Sequence, residues 1–339
     1  MARQVHVLGG GALGTLWAVH LAESGIPTTL LLRNATPAAR TRRLLGRVTC
    51  GWESRVSPMV EMAAEPSSGP GEAISTLVLA TKAYSAAGAL EGVLPRLAPD
   101  AVIVLMCNGA LSVAETLQRS GLQPSLIVLA ATTTHGAWLK PVEASTPICE
   151  HHVVHAGNGQ TWVGPLLSGK NSSLVDSVLT KDYVERAHQA ALSFGAAGLG
   201  AIVEDSAKTQ QRLWLKLAAN SVLNPLTALW NVRNGEVLAR TDGRAIADAV
   251  CAEIAELAAL LAPSVALSHT ELRDFVTSCA AANAQNWSSM QQDMAAGRRT
   301  EVEELNGWVV SRCKQLDVAC NANSSLVRSI QERSLMRGQ

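Results

Sequence analysis

The 339-residue sequence lacks an excess of either charge, because 28 Lys and Arg residues balance 28 Asp and Glu residues. Such a balance gives no electrostatic attraction for nucleic acid or for an anionic membrane surface. The seven cysteines are scattered, without a Cys-x-x-Cys pair or a His/Cys cluster, which argues against zinc and against a secreted disulfide framework. No uninterrupted apolar run reaches about 18 residues, and the first strand starts by Gln4, before a signal peptide could fit. These absences predict a reduced, cytoplasmic protein without a metal ion.

A glycine-rich turn near the N-terminus is the most informative stretch. It reads Gly-Gly-Gly-Ala-Leu-Gly over residues 9–14, follows a short apolar strand and precedes an apolar helical segment. Gly9 permits the tight turn, Gly11 lets a pyrophosphate approach the backbone, and Gly14 lets the helix pack closely on the strand. The context predicts a dinucleotide site rather than a merely tight strand–helix connection. The expected contacts are Gly9, Gly11, Ala12, Leu13 and Gly14.

The end of the second predicted strand, residues 28–32, indicates which dinucleotide is bound. Folds that prefer NAD place Asp or Glu there to hold the ribose 2′-hydroxyl. This chain has Arg33 instead, and a guanidinium suits the 2′-phosphate of NADPH. A solvated arginine at a strand end is the alternative. Lys82 and Asn108 follow later strands, where ligands of such sheets bind.

Strands and helices alternate up to about residue 204, and helical periodicity dominates afterwards. The sequence therefore predicts an α/β protein, with a Rossmann-type dinucleotide-binding domain at 1–205 and a mainly helical domain at 206–339. Predicted local elements include a short basic helix at 40–45 and a continuous helix at 271–293. The pair Thr300-x-x-Glu303 predicts a capping box at the start of a later helix.

Three polar residues stand on a helix that is otherwise apolar on nearly every side. Lys216, Asn220 and Asn224 have i, i+4, i+8 spacing, which puts them on one stripe. Pro225 disfavours helical geometry in the residue before it, so we expect the helix to end or kink at Asn224. Burial would lower the lysine pKa, and a lysine titrating near neutrality suits a general acid. A lysine whose head reaches water beside two helix-capping asparagines is the alternative.

A second polar set follows later in the chain. Asn286, Ser289 and Asp293 are predicted to share one helical face, and Glu301 is predicted to lie in the first turn of the next helix. Favourable interaction with the helix macrodipole alone could explain Glu301. Together the two sets would offer one cation, neutral hydrogen-bonding groups and a carboxylate to the dinucleotide cleft.

These motifs, taken together, closely resemble the ketopantoate reductases, also called 2-dehydropantoate 2-reductases. The resemblance extends from residue 5 to about 330. The matching stretches are Gly9-x-Gly11-Ala12-Leu13-Gly14, Arg33, Thr81-Lys82-Ala83-Tyr84, Asn108-Gly109, Lys216-Leu217, Asn220, Asn224-Pro225-Leu226-Thr227-Ala228-Leu229, Ser288-Ser289-Met290-x-Gln292-Asp293 and Gly297-Arg298-x-Thr300-Glu301.

The resemblance implies NADPH-dependent reduction of 2-dehydropantoate to pantoate, on the route to pantothenate and coenzyme A. It implies that Lys216 protonates the keto oxygen and that Glu301 supports both the lysine and the cofactor. Arg33 and Lys82 would favour NADPH, and Asn108 would lie by the nicotinamide and the substrate. The remaining substrate contacts would be Asn220, Asn224, Asn286 and Ser289.

The sequence also departs from the family pattern. Cys107 replaces a glutamine that is usual in the family, and Trp287 also flanks the expected site, so the preferred 2-oxo acid could differ. Reduction of another branched 2-oxo acid therefore stays open. A non-catalytic NADP-binding sensor is a further alternative, against which the presence of Lys216 and Glu301 argues. The oligomeric state also stays open, a homodimer included.

Overall fold

This computed structural model describes residues 4–33, 42–51, 60–119, 126–140, 151–166, 181–194, 199–265 and 267–337. The polar connection predicted near residues 168–177 lies outside these ranges. The described residues form two compact units, one ending at Thr209 and one beginning at Gln210.

The first unit is built on one mixed sheet. Its strands are β1 Val5–Leu8, β2 Thr28–Leu32, β3 Arg42–Cys50, β4 Val60–Pro66, β5 Ile74–Leu79, β6 Leu97–Leu105, β7 Ile127–Thr133, β8 Gly136–Leu139, β9 His151–Gly157, β10 Thr161–Pro165 and β11 Ala201–Val203. Its helices are α1 Ala12–Glu23, α2 Ala83–Val93, α3 Ala110–Arg119 and α4 Lys181–Phe194. The strand order is β11-β10-β7-β6-β5-β1-β2-β4-β3-β9-β8.

The centre of this sheet is parallel. β1 pairs in parallel with β2 and β5, β5 pairs with β6, and β6 pairs with β7. These strands are nearly continuous apolar runs, as strands covered on both faces require. On one face α1 contributes Leu16, Trp17 and Leu21, none of which is exposed. The predicted Rossmann-type α/β fold is thereby confirmed.

Two histidines make a neutral pair in the outer part of the first unit. The Nδ1 of His135 lies 3.0 Å from the backbone nitrogen of Gly159 and 2.8 Å from the Nε2 of His155. A nitrogen that accepts from an N–H group carries no proton, so His155 donates to His135. Burial is the main cause that lowers both pKa values, and the neighbouring His135 and His20 help to bring that of His155 to about 4.

The second unit is helical. Its helices are α5 Ser206–Trp230, which begins four residues before the unit, then α6 Asn234–Ala239, α7 Thr241–Leu261, α8 His269–Ala282, α9 Ser289–Ala295, α10 Trp308–Gln315 and α11 Asn321–Arg337. A π-helical turn, Glu303–Gly307, leads into α10. Val250, Ile254 and Leu257 of α7 are fully buried at i, i+4, i+7 spacing, as expected of a helix face turned to a core. In the part of the chain that the structure describes, every helix is too short or too polar to cross a membrane.

Several predicted local elements are wrong. The basic helix at 40–45 is contradicted by β3, which begins at Arg42 and pairs with β4 on one side and β9 on the other. Hydrogen bonding to two neighbouring strands outweighs the local helical preference of this segment. The single helix at 271–293 is two helices, because α8 ends at Ala282 and the Ser288 hydroxyl caps α9 by accepting from the Gln291 N–H.

The predicted capping box at Thr300 is also wrong. The helical turn begins at Glu303, and the residue at its cap position is Val302, which has no side-chain oxygen to accept a hydrogen bond. The helix predicted to end or kink at Asn224 does not end there, because α5 continues through Pro225 to Trp230.

Candidate active site

The glycine turn joins β1 to α1 with the geometry that the spacing predicted. Gly9 has a φ of +116°, a conformation that L-residues with side chains rarely adopt. Gly11 is the N-cap of α1, with φ −73° and ψ 179°, and it has no side chain with which to cap the helix. The first N–H groups of α1 therefore have no intrahelical partner and no side-chain cap, which favours an anion at this end of the helix.

The three motif glycines differ in what surrounds them. A Cβ on Gly14 would lie 2.0 Å from the Gly9 carbonyl oxygen, and one on Gly9 would lie 2.9 Å from the Ala80 carbonyl carbon. These two glycines allow close packing within the fold. A Cβ on Gly11 would meet no atom within 4 Å. The space beside Gly11 is thus open, which fits the close approach of a dinucleotide pyrophosphate.

Other predicted cofactor residues follow the carboxyl ends of neighbouring parallel strands. Arg33 follows β2 and is exposed, and its Nη2 lies 3.4 Å from the Ser85 hydroxyl oxygen. Lys82 is the N-cap of α2, and its carbonyl accepts from the Ser85 N–H at 2.9 Å. Arg33 therefore reaches the first turn of the helix that Lys82 opens, a cationic helix N-terminus of the kind that binds phosphate.

Asn108 lies at the same edge of the sheet, after β6. It precedes Gly109, whose φ is +64°, and α3 begins at the next residue. Since β1, β2, β5 and β6 all run in parallel, the glycine turn, Arg33, Lys82 and Asn108 emerge from one edge. This edge is the candidate cofactor site. Cys107, beside Asn108, is buried.

Helix α5 carries Lys216, the predicted general acid, and two of the predicted substrate contacts. Lys216 and Asn220 are partly buried, and Asn224 is 7% exposed. Their spacing places all three on one stripe of the helix. The continuity of α5 through Pro225 keeps Asn224 on that stripe rather than at a helix end.

The positive charge of Lys216 acts on a cysteine thiol of a neighbouring helix. Burial raises the pKa of the Cys279 thiol on α8, and the positive charge of Lys216 offsets part of that rise. The lysine charge is therefore felt across the space between α5 and α8. Trp214, two residues earlier on α5, packs against Trp308 with ring centroids 5.7 Å apart.

A buried hydroxyl pair ties α5 to the start of α9. The Thr227 hydroxyl donates to the Leu223 carbonyl at 2.6 Å, and its oxygen lies 2.6 Å from the Ser288 hydroxyl oxygen. Because Thr227 has already donated its only hydroxyl hydrogen, Ser288 is the donor between them. The contact fixes the N-terminus of α9, and Ser289 is its exposed first residue.

The predicted common helical face of Asn286, Ser289 and Asp293 is wrong. Asn286 lies in the link between α8 and α9, where it is exposed and its carbonyl accepts from the Asn234 N–H at 3.0 Å. Asp293 is buried and pairs with the Arg298 Nε at 2.9 Å. That ion pair gives Asp293 a structural role.

Glu301 precedes the π-helical turn instead of lying in the first turn of a helix, which corrects its predicted position. It is 4% exposed, and its carbonyl accepts from the Leu305 N–H at 3.1 Å. Its carboxylate also helps to raise the pKa of Glu304, a shift caused mainly by burial. Glu301 is thus a buried acid held beside a helical start.

Asn234 is a further candidate, and no motif in the sequence marks it. It is 9% exposed, and its Oδ1 is buried without a hydrogen-bond partner among the residues that the structure describes. Its Nδ2 donates to the Asn283 carbonyl at 3.3 Å. A buried amide oxygen without a partner needs a ligand or water, but burial cannot be read from an isolated Asn in a sequence.

The glycine turn and the parallel centre of the sheet define a class of protein, a dinucleotide-binding protein with a Rossmann-type fold. Family models narrow the class: residues 5–168 match "Ketopantoate reductase PanE/ApbA", and residues 208–334 match "Ketopantoate reductase PanE/ApbA C terminal". The chain belongs to the ketopantoate reductase family. In the described ranges, no group of three or more His, Cys, Asp or Glu side chains is arranged to hold a metal ion.

A curated relative agrees with this membership, and solved structures share the fold. The 2-dehydropantoate 2-reductase of Vibrio cholerae is 31% identical over 325 residues, covering 96% of this chain and 95% of the relative. The crystal structure of a PanE/ApbA family ketopantoate reductase from Ralstonia eutropha has a TM-score of 0.75 at 24% identity and covers 99% of this chain and 100% of its own. A D-mandelate dehydrogenase with NADH and anilino(oxo)acetate has a TM-score of 0.77 at 18% identity, with 99% and 100% coverage. At these identities both structures support the fold alone.

Proposed function

We propose that the protein reduces 2-dehydropantoate to pantoate with NADPH, within pantothenate and coenzyme A biosynthesis. The observation that carries the proposal is helix α5, which presents Lys216, Asn220 and Asn224 on one stripe in a chain of the ketopantoate reductase family. In this proposal residues 1–205 bind the cofactor, and residues 206–339 carry the substrate and catalytic groups.

The glycine turn holds the cofactor pyrophosphate. Gly11 leaves room for it, and the N–H groups at the start of α1, with Ala12 and Leu13, face its charge. Arg33 and Lys82 hold the 2′-phosphate, which makes NADPH the preferred dinucleotide. The observation that supports these two contacts is that the Arg33 guanidinium lies near the first turn of α2.

Lys216 acts as the general acid. When bound, the reduced nicotinamide supplies a hydride to the keto carbon. Charge then develops on the keto oxygen, and the Lys216 ammonium stabilises it and transfers a proton to it, which yields the hydroxyl of the product. Lys216 is left neutral and regains a proton from water. Glu301 holds the lysine and the cofactor in place.

The neutral polar groups hold the substrate. Asn220, Asn224 and Ser289 bind its hydroxyl and carboxylate, since amides and hydroxyls donate and accept hydrogen bonds without adding charge. We also propose this role for Asn286, although it lies outside a helix, and for Asn108 beside the nicotinamide. The buried, partner-free Oδ1 of Asn234 supports adding that residue to the set.

Initial rates of NADPH oxidation test the substrate assignment. The panel contains 2-dehydropantoate, other branched 2-oxo acids and an aryl 2-oxo acid, each assayed with NADPH and NADH. A highest kcat/KM for 2-dehydropantoate is expected. A higher value for another 2-oxo acid would transfer the assignment to that substrate, and no oxidation with any of them would favour a non-catalytic NADP-binding protein.

Lys216→Ala tests the acid directly. Turnover should fall on the order of 10²–10⁴-fold, the range for general acid–base catalysis. Wild-type turnover should also fall as pH rises and the ammonium loses its proton, and the variant should lack that limb. Lys208→Ala is the control, because Lys208 lies on α5 but is exposed beside Asp205. A folded Lys216→Ala enzyme within threefold of wild type would contradict the role.

A homodimer is the proposed assembly. One solved structure of similar fold is a dimeric ketopantoate reductase from Staphylococcus aureus, at 18% identity and a TM-score of 0.70. Light scattering coupled to size-exclusion chromatography measures the mass directly. A mass near one chain, 35.6 kDa, would exclude the dimer at the concentration used.

A further inference from the structure

Helix α5 contains a proline where a backbone donor is missing. In an α-helix each N–H donates to the carbonyl four residues earlier, so the N–H of residue 225 would donate to the Ser221 carbonyl. Pro225 has no N–H, yet the helix continues for five residues beyond it. Ser221 is fully buried, so water does not reach its carbonyl. A buried carbonyl without a hydrogen-bond donor destabilises a fold.

The side chain of Asn306 supplies the missing donor. Its Nδ2 lies 2.9 Å from the Ser221 carbonyl oxygen, and Asn306 is fully buried. The residue belongs to the π-helical turn that begins two residues after Glu301. A side chain distant by 85 positions in sequence therefore completes the hydrogen bonding of α5.

The orientation of the Asn306 amide is fixed by a second buried contact. Its Nδ2 also lies 2.9 Å from the Asn323 Oδ1, so the two hydrogens of the amide serve two acceptors. Asn323 in turn donates from Nδ2 and from its backbone nitrogen to the Glu253 Oε2, at 2.8 and 3.0 Å. The Glu253 Oε1 accepts from the Ala322 N–H at 2.7 Å. A continuous chain of contacts thus runs from α7 through α11 to α5.

We propose that Asn306 is a positioning residue of the active site, acting through the Ser221 carbonyl, whose regular donor four residues later is missing at Pro225. The proposal rests on the proposed function. Asn220 and Asn224 lie on either side of Ser221, within one turn of helix. A local shift of the 221 carbonyl towards another donor would change the spacing of these two side chains and their placement relative to Lys216.

A double-mutant cycle with Pro225→Ala isolates this contact. An alanine at position 225 restores an N–H opposite the Ser221 carbonyl, so this carbonyl gains its regular helical donor in addition to the Asn306 amide. In the wild-type background, Asn306→Ala should raise the KM for 2-dehydropantoate about tenfold, as expected for the loss of one buried hydrogen bond. In the Pro225→Ala background the same change should raise KM less than about threefold. NADPH affinity, titrated without substrate, should stay within about twofold throughout.

Asn323→Ala is the matched control. It removes the other Asn306 partner and a contact to Glu253 but leaves the Asn306–Ser221 bond in place. Its effect on stability should be the same in the wild-type and Pro225→Ala backgrounds, and its KM should stay near that of wild type. A purely structural role for Asn306 predicts instead that Asn306→Ala lowers the melting temperature without changing KM, or changes KM equally in both backgrounds. Either result would overturn the proposal.

Amide hydrogen exchange gives a readout that does not depend on catalysis. Protection of residues 222–230 should fall in Asn306→Ala and recover in the double variant. If this recovery is seen but the wild-type enzyme does not reduce 2-dehydropantoate, the proposed function fails while the support of α5 by Asn306 stands. Absence of recovery would refute that support. If Asn306→Ala folds only together with Pro225→Ala, this rescue of folding is itself the expected coupling between the two positions. If neither the single nor the double variant folds, Asn306→Ser takes the place of Asn306→Ala in the cycle.

Discussion

Two substitutions in the glycine turn separate cofactor binding from folding. Gly11→Ala adds a methyl group in the open space where we place the pyrophosphate. Gly14→Ala adds the same group where α1 meets the turn. The two changes are chemically identical and only three positions apart, so a difference between them reports the surroundings of each Cβ.

The structure sets the expected size of each effect. Gly11 has φ −73° and ψ 179°, which alanine adopts freely, and no atom lies within 4 Å of the new Cβ. The free energy of unfolding should therefore change by less than about 1 kcal/mol. The Cβ of Gly14→Ala would lie 2.0 Å from the Gly9 carbonyl oxygen and 3.2 Å from the Ala80 Cβ. Relieving that overlap moves the backbone and should cost about 1–3 kcal/mol or more.

The assay combines urea unfolding with NADPH titration by fluorescence. Gly11→Ala should keep wild-type stability and lose at least about tenfold in NADPH affinity, since the methyl group holds the phosphates away from the backbone. Gly14→Ala should lose stability as well. Gly88→Ala is the control, because Gly88 is exposed on α2 with nothing within 4 Å of its Cβ. Wild-type NADPH affinity in Gly11→Ala would refute the phosphate site at this turn.

Three further outcomes are expected. Arg33→Ala should raise the KM for NADPH much more than that for NADH in initial-rate assays, and equal losses would refute a 2′-phosphate contact. Asn224→Ala should raise the KM for 2-dehydropantoate and leave NADPH affinity unchanged in titrations, whereas an equal loss of both would make Asn224 structural. The free energy of unfolding should decrease as the pH is lowered from about 6.5 to about 4, because His155 has a pKa of about 4 in the folded protein and of about 6.5 in the unfolded chain. The loss should reach at most about 3 kcal/mol. His155→Gln should flatten that slope in urea unfolding, but the exposed His188→Gln should not.

The sequence predicts the first unit well where the signals are local. β1 and β2 begin and end where their apolar runs and the glycine turn indicated, and the parallel order of the central strands follows from the alternation of strands with helices. The segment at 40–45 shows the limit of such signals. Its basic residues favour a helix by composition, but β3 pairs with residues of β4 that lie 14 to 22 positions away and with residues of β9 that lie 105 positions away.

In the second unit the sequence predicts which residues share α5 but not how other elements reach it. The i, i+4, i+8 spacing placed Lys216, Asn220 and Asn224 correctly on one stripe, because the helix repeat alone decides it. Asn286 was placed wrongly, because the break between α8 and α9 depends on the Ser288 cap and its contact with Thr227. A contact across 61 positions leaves no periodic trace in one sequence.

Pro225 shows why the local rule fails at this site in particular. The rule that proline ends a helix assumes that nothing replaces the lost N–H donor. Here the Asn306 amide donates to the Ser221 carbonyl, and α5 continues through Pro225 to Trp230 with Asn220 and Asn224 on the same helix. Violations of local rules that are compensated by distant groups are expected where function constrains the chain. A proline in a buried helix therefore indicates a polar side chain elsewhere in the chain that donates to the carbonyl four positions before the proline.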